Sequence, residues 1–253
     1  MTKAGRSSII LALASFSLVA AAAFRGWTPA QVSQSVPSTV SRVVKMLYHF
    51  SDVMSVHEAV IRGELAAVRA PALRVAVVTM PAGMPPGAEV FVADIRAAGQ
   101  RAADAKTLEA AARATVDMVS GCANCHRSVG VFPSPATIAP RDIGGIVGHM
   151  QQHQLAVDNM LLGLMIPSPS TWRDGADRLL AAPLLPSKYP DDINLTNQIR
   201  KADARVHDLA RQAVNTESPT EQANVYTQVI ANCAQCHVLH SRVWGPGRGG
   251  LRP

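Results

Sequence analysis

Met118-Val-Ser-Gly-Cys-Ala-Asn-Cys-His126 and Val229-Ile-Ala-Asn-Cys-Ala-Gln-Cys-His237 decide how this chain reads. Each ends a run with helical apolar spacing, and between them they hold all 4 cysteines. Upstream of each, the order of segments is the same. Residues 39–62, 65–78, 88–105 and 107–120 read as helices that lead into the first motif, with the second weakened at Pro71. Residues 141–165, about 170–182, 193–215 and 220–231 lead into the other. Turn-rich stretches separate them, at Met80–Gly87 and again at residues 183–192. Apolar stripes run through Val43, Met46, Leu47, Phe50, Val53, Met54, Val60 and Ile61, and through Ile143, Ile146, Val147, Met150, Val157, Leu161 and Leu164. No strand-like alternation of useful length occurs.

The chain is thus expected to be all-α: two tandem four-helix bundles, residues 38–135 and 141–245, joined by a Pro-bearing linker and followed by a flexible tail, 246–253. Asp94-Ile-Arg-Ala-Ala-Gly-Gln-Arg101 pairs with Asn197-Gln-Ile-Arg-Lys-Ala-Asp-Ala-Arg205, which sets Ile95 against Ile199. Eight helices merged in one core is the competing arrangement.

Cys-x-x-Cys-His is the attachment signature of c-type haem. Two thiols three residues apart reach the two vinyl groups on one edge of a porphyrin, and the next histidine reaches the iron. Two covalently bound haem c groups are expected, at Cys122, Cys125 and His126 and at Cys233, Cys236 and His237. A redox dithiol would sit in a strand–helix context, and zinc pairs lie about 15–20 residues apart. Neither fits two pairs more than a hundred residues apart, each with a histidine behind it. Only 4 % of residues are aromatic, so two porphyrins would add the bulky apolar surface this alanine-rich chain lacks.

The second motif leaves only residues 238–253 after it. Its haem must therefore be covered by residues upstream. A four-helix unit with its haem on the last helix resembles the class II c-type cytochromes, the cytochrome c-prime group. The likeness spans about residues 38–130 and 141–245. It implies a haem in each bundle, with the first helix facing its distal side.

Those first helices carry Met46-Leu-Tyr-His49 and Met150-Gln-Gln-His153, the same spacing at a comparable place. His49 and His153 project along apolar helix faces, where an iron would satisfy the ring. They are the expected distal ligands. His57, His149, Met46, Met54 and Met150 are the alternatives. Bis-histidine ligation would hold a low-spin iron, methionine would raise its potential, and an open site would admit small molecules. His207, mid-helix among charges, reads as exposed, and His240 as flanking a haem edge at the surface. Arg127, Arg242 and Arg248 can pair with propionates.

Lys3 and Arg6, the apolar run from Ile9 to Ala23 and the small residues Ala21–Ala23 have the pattern of a secretory signal peptide over residues 1–23. An uncleaved anchor is the alternative. Removing Lys3 and Arg6 from 24 basic residues against 18 acidic ones leaves a net charge of +4, which propionates would largely offset. No nucleic-acid partner is implied. No acid–base pair or nucleophile points to an enzyme. The expectation is an exported, periplasmic electron carrier that serves redox partner proteins. The alternatives are a ligand-binding or peroxidatic haem protein with an open distal site, and an electron-transfer subunit of a membrane-anchored complex.

Overall fold

The computed structural model describes residues 38–81, 83–133, 145–182 and 193–244. These form eight α-helices and no strand, so the fold is all-α. The helices are α1 (Ser38–Ile61), α2 (Leu65–Ala76), α3 (Glu89–Asp104), α4 (Leu108–Val129), α5 (Gly145–Met165), α6 (Pro169–Ala181), α7 (Ile193–Val214) and α8 (Pro219–Trp244). The order matches the expected one. Residues 1–23, the tail 246–253, Arg248 and most of the linker lie outside the described residues, as does Ile143. Among the described residues no helix is long and apolar enough to cross a membrane.

Two boundaries differ in an informative way. α4 and α8 do not stop before the cysteine motifs; they run through them. Alanine follows the first cysteine of each motif and nothing in either breaks a helix, so the last turns simply continue. α4 then ends at Gly130, whose φ of 66° lets the backbone N–H turn back to the Arg127 and His126 carbonyls. At its start Thr107 accepts a hydrogen bond from Ala110 N at 3.1 Å. Ser168 caps α6 in the same way, with Pro169 in the first turn. α2 continues through Pro71, which is buried.

Small residues let these helices approach closely. A Cβ on Gly175 of α6 would lie 2.6 Å from Met160 N and 2.7 Å from Ala156 O of α5. That contact explains how a chain poor in large side chains still packs. α2 packs on α3 and α3 on α4, α5 packs on α6, α6 on α7 and α7 on α8, and α4 also packs on α5 and α8.

The described residues from Arg42 onward fall in one compact unit. One apolar core takes in Val53, Val56 and Val60 of α1, Met118 of α4, Met160 and Leu161 of α5, and Tyr226 and Ile230 of α8. Both halves thus contribute to it. Of the expected α1 stripe, Val53, Val60 and Ile61 are buried and Phe50 and Met54 half-buried, while Val43, Met46 and Leu47 are exposed.

Tyr226 ties that core together. Its hydroxyl donates to the Val157 carbonyl at 2.9 Å and lies 2.7 Å from His57 Nε2. With its one proton given to Val157, it accepts from His57 Nε2–H. His57 is therefore the neutral Nε2–H tautomer, and burial lowers its pKa to about 3. The sign follows: below about pH 6.5 the unfolded chain binds a proton that the folded one refuses. Folding stability should fall by about 1.4 kcal/mol per pH unit from this residue, down to its folded pKa. Urea unfolding of wild type and His57→Leu at pH 7 and pH 5 checks this. The variant's loss between the two pH values should be smaller than the wild type's; equal losses would refute it.

Candidate functional site

On a helix, residues i, i+3 and i+4 share a face. Cys122, Cys125 and His126 share one on α4, and Cys233, Cys236 and His237 share one on α8. Cys122 and Cys233 pack against the apolar core, and Cys236 is buried. Burial, with the neighbouring thiol adding to it, pushes Cys122 and Cys233 up to about 12. Burial, and then Asp203, does the same for Cys236. Redox and zinc-binding cysteines work as thiolates with lowered pKa values. These are thiols at neutral pH, and no metal-type cluster among the described residues includes a cysteine.

Each motif histidine lies near the end of the other half's first helix. His126 Nδ1 lies 2.9 Å from the carbonyl oxygen of Met165, the last residue of α5. Near His237, α8 meets the end of α1: a Cβ on Gly63 would lie 2.7 Å from the Val238 side chain and 3.0 Å from Ala234 O. Burial lowers the His237 pKa, against the backbone of Ile61, the last residue of α1. In His126 the Nδ1–H donates to the carbonyl, so Nε2 carries the lone pair.

A buried polar cluster lies beside the second motif. His149 Nε2 is 3.3 Å from Asp203 Oδ1. The His149 and His153 rings are 4.1 Å apart, and His153 meets His207 edge-on at 5.7 Å. One ligand atom each of His149, His153 and Asp203 lie within 4.8 Å of one another. His207 Nδ1 donates to the Leu180 carbonyl at 3.3 Å, and neither His207 Nε2 nor His153 Nε2 has a hydrogen-bond partner among the described residues. Burial lowers the His153 pKa to about 3, helped by His149 and opposed by Asp203. His240 joins the cluster, lowered to about 4 by burial and then by His237 and His149.

Two expectations are overturned. His207 is buried, not exposed, and His240 is buried as well. Buried positions 199, 202, 203, 206, 207 and 210 form an i, i+3, i+4 stripe on α7. That stripe was readable, but Asp203 and His207 sit among charges that masked it. Asp203 went unnoticed altogether.

The repeat register also shifts. His207 meets the end of α6 at Leu180. The α3 residue at the end of α2 is Gly99, whose Cβ would sit 2.8 Å from Ala76 N. Gly99 therefore matches His207, and Ile95 matches Asp203 rather than Ile199. Sequence identity had placed the pair one helical turn away.

Among the other ligand candidates, His57 is engaged by Tyr226. His49 is half-buried, and its pKa is lowered by burial, against Asp52. Met54 is half-buried against the core, Met150 is half-buried and Met46 is exposed. Arg127 is exposed and bonds Asn124; the Arg242 side chain is outside the described residues. No protein-family model, curated protein or solved structure matches the chain.

Proposed function

We propose that this chain is an exported dihaem c-type cytochrome that carries electrons between redox partner proteins, with one haem on the last helix of each four-helix half. The observation that carries this reading is the hold on His126, one turn past Cys122, whose Nδ1 meets the Met165 carbonyl at the end of α5. Metal-ligating histidines almost always donate their other ring N–H to an oxygen in this way, which fixes the ring and bares the second nitrogen.

The donor set fits the group. Cys122 and Cys125, and Cys233 and Cys236, supply neutral thiols for addition to vinyl groups. His126 and His237 supply the proximal nitrogens, and His49 and His153 the distal ones. The exposed apolar residues Val43, Met46 and Leu47 next to His49 would be covered by a flat apolar group. When bound, haem supplies one-electron exchange between Fe(III) and Fe(II). The protein's own part is to orient the imidazoles, exclude water and hold the two attachment helices in contact, since α4 packs on α8. An exported location fits covalent attachment outside the cytoplasm.

A reductive titration of the purified protein tests this. It should take up two electrons per chain, reversibly, with haem absorption changing in step. A chain with no reversible visible-band change would refute the carrier reading.

A further inference from the structure

We propose that Asp203 and His207 are positioning residues that make His153 the sixth ligand of the second haem, a support the first half lacks, so that the two haems differ in ligation. The inference rests on the dihaem reading above.

The His153 ring is packed between two others. On one side is His149, at 4.1 Å and tilted 47°, itself paired to Asp203 at 3.3 Å. On the other is His207, edge-on at 5.7 Å, with its Nδ1 anchored to Leu180 O. His153 Nε2 is buried and has no hydrogen-bond partner among the described residues, and burying such an atom costs free energy until something binds it. An iron does so. A ring held on both faces loses little conformational freedom on ligation and resists displacement.

The first half is built differently at each of these positions. Counting back from the helix ends Ile61 and Met165, His49 matches His153 and Lys45 matches His149. The register of α3 on α2 puts Ile95 where Asp203 stands and Gly99 where His207 stands. Gly99 has no room for a side chain, since its Cβ would meet the α2 backbone at 2.8 and 3.0 Å. Three of the four groups are therefore missing. His49 is half-buried, on a part of α1 whose apolar residues are exposed. Among the described residues no ring flanks it, so an incoming ligand can displace it.

Carbon monoxide binding to the reduced holoprotein separates the two sites. Wild type should bind one carbon monoxide per chain. A Cys122→Ala/Cys125→Ala chain, carrying only the second haem, should bind none. His153→Ala should bind two per chain. Asp203→Ala and His207→Ala should move the second haem toward a high-spin ferric signal in magnetic circular dichroism, with the first unchanged. Asp203→Asn, which keeps the shape, serves if Asp203→Ala does not fold. Wild type binding two or none, or His153→Ala still binding one, would overturn the inference while leaving the dihaem reading intact. A pyridine haemochrome assay showing fewer than two covalent haems per chain would instead overturn that reading, and the inference with it.

Discussion

On the proposed function, the unchanged protein should carry two covalent haems and a Cys233→Ala/Cys236→Ala chain one. The remaining haem should be at Cys122 and Cys125. Alanine is the best helix former, so α8 should persist through the altered motif. Its neighbours in the core, Tyr226, Val229 and Ile230, are untouched. The loss should therefore be specific: two thioether bonds would be missing while His237 keeps its place on α8. Haem released by acid–acetone extraction should rise from none to about one per chain if His237 and His153 still hold it, or be absent if they do not. Peptide mapping locates the surviving attachment. An unchanged count of two covalent haems would show that the thiols do not carry it.

The second large effect is on stability. Tyr226→Ala should destabilise the fold by about 4 kcal/mol, the cost of truncating a fully buried aromatic side chain. Tyr226 is 0 % exposed, packs edge-on against Trp172 at 6.3 Å, and joins α1, α5 and α8 through its hydroxyl. Removing the ring leaves a cavity where both halves share the core, and strands His57 Nε2–H and the Val157 carbonyl. Tyr226→Phe removes only the hydroxyl and should cost about 1–3 kcal/mol. In a chain of this size, about 4 kcal/mol lowers the melting temperature by about 8–16 °C. Melting curves of the two variants against wild type measure both losses. A Tyr226→Ala loss no larger than that of Tyr226→Phe would mean the ring does not bridge the halves.

Helix order was legible in the sequence because period and punctuation are local: apolar stripes mark each run, and turn-rich stretches such as Met80–Gly87 separate them. The proposed attachment residues stand out in the sequence because a covalent cofactor would need fixed spacing. Three things were not. The helices run through the motifs, because nothing in Cys-Ala-Asn-Cys-His marks a stop. His126 is secured by the opposite half, because a backbone carbonyl leaves no signature in side-chain identity. Asp203 and His207 were hidden by neighbouring charges, since whether a titratable group is buried depends on what faces it from α5 and α6. The one-turn slip between Ile95 and Ile199 has the same root: identity tracks descent of short strings, whereas packing follows the helix ends.

The most direct test of the central claim is the intact mass of the chain purified from a host with haem-attachment machinery, denatured to remove anything not covalently held. The account predicts a polypeptide heavier by two haem groups, shifting to one when either cysteine pair is replaced. A mass equal to the bare polypeptide would contradict it.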